Sequence, residues 1–148
     1  MMKRLLSALL ALLLFALPLA VGAEILPVDT DYIHYGDYGL PIGDLHAILG
    51  LSWLDADADE EPYFCSATLN NLLEYQEFFG LEPTGFFDPA TLRCMFGLGP
   101  GSDAPVWIPM HGGARYHRYE SCSNMIEPRQ MPVDCAEYLG FTPCKRCY

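Results

Sequence analysis

Apolar and polar positions along this 148-residue chain change period several times. Leu5 to Leu19 is almost continuously apolar. Ile42, Leu45, Leu49 and Trp53 then recur near i, i+3, i+7 and i+11, one face of a first helix, weakened in its middle by Gly50. A second helix starts near Ser66. Leu69, Leu72, Tyr75, Gln76 and Phe79 share its face, and Gly80 stops it. A turn through Glu82-Pro83-Thr84-Gly85 comes next. Asp88 and Pro89 then supply the N-cap and first position of a third helix, which carries Leu92 and Met95 or Phe96 and ends at Gly97.

Beyond Gly97 the pattern alters. Residues 99–105 (GPGSDAP) read as a linker. Val106-Trp107-Ile108 and Ala114-Arg115-Tyr116-His117 read as two short strands joined by a turn at His111-Gly112-Gly113. Asp134-x-x-Glu137 looks like a capping box opening a short helix that Gly140 ends. The expectation is a mostly α protein: a helical domain over 39–98 and a small α+β module over 106–148. Residues 24–38 are an extended lead-in whose tyrosines pack on the helical domain.

The first 23 residues change where this protein is expected to work. A basic start at Lys3-Arg4, the apolar run and Ala20-Val21-Gly22-Ala23 make a signal peptide cut after Ala23. The run is short for a membrane span, and no later segment is long and apolar enough for one. The mature chain, 24–148, then holds six bases against 19 acids, a formal charge of −13. The imbalance is uneven. Residues 24–103 carry 15 acids and one base, Arg93, whereas 104–148 carry four acids and five bases. Such an acidic body disfavours nucleic acid, whose phosphates need Lys and Arg. It suits a neutral glycan, a peptide or a basic protein partner.

Candidate chemistry concentrates in the tail. His117, Cys122, Cys144 and Cys147 read H-x4-C, 21 residues, C-x2-C. Three thiolates and an imidazole are the number and type for a closed tetrahedral zinc site, which staples a fold and leaves no position for catalytic water. Bound zinc would supply about 10–16 kcal/mol of apparent folding energy to a module with little core of its own. An exported chain offers the alternative of two disulfides among Cys122, Cys135, Cys144 and Cys147. A redox C-x2-C is a third alternative, without the βαβ pattern that would support it. Cys65 and Cys94 fall near the start of the second helix and late in the third. Antiparallel helices would bring them into a disulfide worth roughly 3.6 kcal/mol in the chain-entropy model.

Other constellations carry less. Asp55-x-Asp57-x-Asp59 begins like a calcium loop, but Glu60 and Ser66 stand where Gly and a bidentate Glu belong. His34 and His46 have no metal spacing around them. No H-E-x2-H and no G-x-S-x-G occurs. The chain is therefore expected not to be an enzyme. A hydrolase with an unrecognised site at His111 is the outlying alternative.

Phe64, Thr68, Leu72, Tyr75-Gln76, Gly80-Leu81, Thr84-Gly85, Asp88 and Thr91-Leu92 keep their spacing over about 30 residues, and in this the segment resembles the peptidoglycan-binding-like domain, a three-helix module. The first helix departs from that pattern, with Ile42-x2-Leu45-His46-x2-Leu49 where the family favours V-x2-L-Q-x2-L. Tyr116-His117, Cys122, Glu137 and Gly140-Phe141-Thr142-Pro143-Cys144-x2-Cys147 are similar to a cysteine-rich module at the C-terminus of secreted Gram-positive proteins and to the Ada-type zinc-binding segment. These resemblances imply a secreted, wall-associated protein of a Gram-positive bacterium. It would bind peptidoglycan or a wall peptide through residues the sequence leaves unknown. The rival is an extracellular protein-interaction or regulatory module with an acidic surface.

Overall fold

The computed structural model describes residues 30–57, 59–101 and 104–148. The expected signal peptide lies outside them, as do 24–29 of the lead-in. Among the described residues are four α-helices and four short strands: α1 (Leu40–Ile48), α2 (Ser66–Phe78), α3 (Pro89–Phe96), β1 (Pro105–Ile108), β2 (Arg115–Tyr116), β3 (Arg129–Pro132), α4 (Val133–Tyr138) and β4 (Thr142–Pro143). None of these helices is long and apolar enough to cross a membrane.

α1 buries Ile42, Leu45 and His46. It does not continue to Trp53 as the spacing suggests. Gly50 sits at φ 73°, a left-handed value that ends the helix. A 3-10 turn, Ser52–Asp55, comes after it and leaves Trp53 65% exposed. α2 buries Thr68, Leu69, Leu72 and Gln76. Phe79, expected on that face, is instead exposed, because the helix closes at Phe78 and its last carbonyls are met by the N–H groups of Phe79 and Gly80. α3 starts as read: the Asp88 carboxylate accepts from Thr91 N at 2.8 Å, and Pro89 opens the helix.

Gln76 explains why this stretch has its spacing. The side chain has no exposure. Its amide nitrogen, with two N–H groups to donate, lies within 3.1 Å of three acceptors, Thr84 Oγ1, Phe86 O and Thr91 Oγ1, and its oxygen accepts from Gly85 N. One buried amide thus ties α2 to the following turn and to α3. At Gly85, φ is 74°, a left-handed value that glycine adopts without strain, and a Cβ there would push on a Leu69 methyl carbon 2.9 Å away.

The β segments pair in a way the sequence pattern does not announce. β1 runs antiparallel to β3, from Pro105↔Pro132 to Ile108↔Arg129. β2 runs parallel to β4. The expected capping box does not form. The N-cap of α4 is Pro132; the Asp134 carboxylate faces Arg93, and Glu137 accepts from the Tyr116 hydroxyl.

One core unites both halves. Ile33, Ile42, Leu45, Phe64, Leu72, Phe87 and Leu92 form a continuous cluster with Val106, Ile108, Met110, Met131, Cys135 and Ala136. Polar contacts reinforce it. Arg93 Nη1 donates to Asp134 at 2.7 Å, Arg129 holds Asp37 at 2.6 Å, and Phe96 stacks on Tyr138 at 4.4 Å. Segment 30–38 contributes too, with Ile33 buried, Tyr32 stacked on Phe86 and Phe87 N donating to Ile33 O.

Candidate metal centre

Three short-range pairings assemble the centre. His117 exchanges backbone hydrogen bonds with Trp107, at 2.7 and 2.8 Å, which fixes it beyond the end of β2. The parallel β2–β4 pairing continues into Cys144 N donating to Tyr116 O, which sets Cys144 beside His117. A tight turn then folds Cys147 back, its N–H on Cys144 O. Cys122 arrives on a helical turn after Tyr119.

The four ligand atoms all lie within 4.8 Å of one another. Cys122 Sγ is 3.9 Å from Cys144 Sγ, and Cys147 Sγ is 4.0 Å from His117 Nδ1. A tetrahedron with Zn–S bonds of about 2.3 Å has S···S edges of about 3.8 Å. A disulfide needs about 2.05 Å. These two distances are close to the edges of a metal polyhedron and far from a disulfide bond, and the donor set fits a divalent ion.

Electrostatics favour the same reading. The Arg146 N–H, 3.5 Å from Cys144 Sγ, is the main cause that lowers the Cys144 thiol to about 7. Burial raises Cys147. Thiolates this close repel one another, and a cation among them removes the conflict. Burial, then the Arg115 charge, lowers the His117 imidazole, keeping it in the neutral form that ligates.

The remaining cysteines do other things. None of the six is joined in a disulfide. The expected Cys65–Cys94 bond is not formed. Cys65 stands at the N-cap of α2 against Thr68 Oγ1, whereas Cys94 Sγ accepts from the Tyr75 hydroxyl. Ten residues of helix separate Cys65 from the Tyr75 that Cys94 meets, about 15 Å along the axis, while a disulfide needs Cα atoms within about 7 Å. Cys135 is fully buried in the shared core, apart from the quartet.

His46, unremarkable by spacing, is a buried polar hub. Its Nδ1 lies 2.8 Å from Asp55 Oδ1 and its Nε2 2.8 Å from Thr68 Oγ1. The order acid, imidazole, hydroxyl resembles a hydrolytic triad, but Thr68 has no solvent exposure and no route to a substrate. Asp55 is thereby turned away from the acidic loop that resembles a calcium site. His111 sits between Glu61, at 2.9 Å, and Glu127, at 3.4 Å.

A second surface lies on the helical side. Ile48, Leu49, Asn71, Glu74, Tyr75, Phe78 and Phe79 line an open groove of about 330 Å³. Phe78 is 82% exposed and meets Phe79 edge-on at 5.0 Å. The adjacent aromatics are visible in the sequence; which of them faces solvent depends on where α2 ends.

Residues 48–95 match the family model described as "Putative peptidoglycan binding domain". The match runs from the end of α1 through most of α3 and stops before the Cys/His segment. Over those residues the chain is similar to a peptidoglycan-binding domain. No curated protein and no solved structure matches the chain.

Proposed function

We propose that this is a secreted, non-catalytic protein that binds peptidoglycan at the wall of a Gram-positive cell, with a zinc ion stapling its C-terminal module. The family match over 48–95 carries the reading. The groove on α1 and α2 supports it, because exposed Phe78 and Phe79 beside the Asn71 amide are the side chains that stack on sugar rings and hydrogen-bond their substituents. His117, Cys122, Cys144 and Cys147 support zinc by number, softness and spacing. The resemblance of the tail to the Ada-type segment and to secreted Gram-positive modules points the same way. A closed donor set and a buried Thr68 support a binding role over a catalytic one.

Co-sedimentation with purified wall sacculi tests this. Binding is expected to persist at 1 M salt, where the Debye length is about 3 Å, and to weaken in Phe78→Ala. Binding that vanishes with salt, or its absence, would favour an acidic interaction module with a basic partner.

A further inference from the structure

A second cavity lies outside the family-matched residues, against the candidate metal centre. It measures about 490 Å³ and is lined by His111, Arg115, His117, Ser123, Asn124, Met125 and Ile126 among others. That volume is in the range of small-ligand sites. Its wall begins at a metal-ligand position, since the turn that carries Cys122 continues directly into Ser123 and Asn124. Both of these non-glycine residues hold left-handed backbone, φ 66° and 50°, and Glu127 comes after them at 46°. Clustered left-handed residues of this kind recur where a fold shapes a ligand clamp.

The lining has a definite chemistry. Arg93 and Arg129 are each matched to a carboxylate, but Arg115 is not. Its one hydrogen bond among the described residues goes from Nη1 to Pro143 O at 3.1 Å. A guanidinium with N–H groups to spare lines a cavity in residues 104–148, where bases outnumber acids. Met125 and the 60% exposed Ile126 add an apolar wall, and the Asn124 amide and Ser123 hydroxyl add polar groups. Arginine recognises planar anions through paired N–H donors.

We propose that this cavity binds a short peptide by its free terminal carboxylate, with Arg115 taking the carboxylate and Ile126 and Met125 the small apolar side chains. The inference rests on the wall-binding reading and deepens it: the aromatic groove would meet glycan, and the metal-braced module would meet a peptide stem.

The test titrates the intact metal-loaded protein with N,N-diacetyl-lysyl-D-alanyl-D-alanine and with its C-terminal amide, reading heat and the amide NMR shifts of residues 111–126. The acid is expected to bind, shifting those signals, and the amide to bind about tenfold more weakly, the typical weight of a charged hydrogen bond. Arg115→Gln should bring the acid down to the level of the amide, Arg115→Lys should restore part of the difference, and Ile126→Trp should block both peptides. No saturable binding of the acid, equal affinity for acid and amide, or indifference to Arg115→Gln would overturn the proposal. A protein that sediments with sacculi yet ignores the tripeptide would sink this inference and leave wall binding standing. Tripeptide binding without sacculus binding would do the reverse.

Discussion

Gln76→Leu isolates the interaction that ties the helical domain together. The substitution keeps volume and removes the amide. The Gly85 N–H loses its acceptor, and Phe86 O keeps only a 3.3 Å contact with a Thr84 hydroxyl that sits closer to Asp88, at 2.8 Å. An unsatisfied buried donor costs about 1–3 kcal/mol, and each further hydrogen bond forgone about 0.5–1.5 kcal/mol. Burying leucine methyls returns part of this, so the net expectation is about 3 kcal/mol of destabilisation. With a urea m-value of about 1–3 kcal/mol/M, the midpoint should fall by about 1–3 M with m unchanged. Equilibrium urea unfolding of the metal-loaded protein, read by tryptophan fluorescence and circular dichroism, measures it. Glu77→Gln on the exposed face serves as the control. A shift under about 0.3 M in Gln76→Leu would refute the view that this amide organises the domain.

Further perturbations probe the close approach, the shared core and the metal set. Gly85→Ala should cost about 1–3 kcal/mol by the same assay, since its φ of 74° and the Leu69 contact both oppose a Cβ. Asp134→Ala should cost about 1–3 kcal/mol, because it removes the carboxylate paired with the buried Arg93 guanidinium, and Arg93→Met should cost less; a double-mutant cycle resolves the pair, and equal single effects would contradict this. The lowered His117 favours the neutral ring in the fold, so stability from it is complete above the ordinary histidine value of about 6.5 and is lost as pH falls below that. Proton competition at the ligands acts in the same direction. Thermal midpoint and zinc affinity should therefore decline together below about pH 6.5, with the zinc-dependent part absent in His117→Ala.

What could be read in advance was local. The α2 face through Leu69, Leu72 and Gln76, the Asp88-Pro89 start of α3 and the separate H-x4-C and C-x2-C pairs each lie within a few turns or one loop, where periodicity and capping speak directly. The pieces that escaped depend on distant partners. β3 (Arg-Gln-Met-Pro) has no alternation of its own and exists because β1 offers an edge. Asp134 looks like a cap until Arg93 claims it from 41 residues away. His46 is a polar residue in an apolar face, tolerable only because Asp55 and Thr68 satisfy both nitrogens. Cys135 counts in the sequence as a disulfide candidate and is a core residue by position. The glycine- and proline-rich 99–105 reads as a boundary, yet the core runs across it, since Val106 and Ile108 face the same cluster as Leu72 and Leu92.

The central claim is a metal-braced C-terminal module fused to a peptidoglycan-binding-like core. The most direct measurement is the native and denatured mass of the protein, with thiol alkylation after denaturation. One zinc per chain is predicted in the native state. Cys122, Cys144 and Cys147 should be alkylated only once the metal is removed, and His117→Ala should lose the metal. A protein without metal whose mass shows bonds among Cys122, Cys135, Cys144 and Cys147 would contradict the claim.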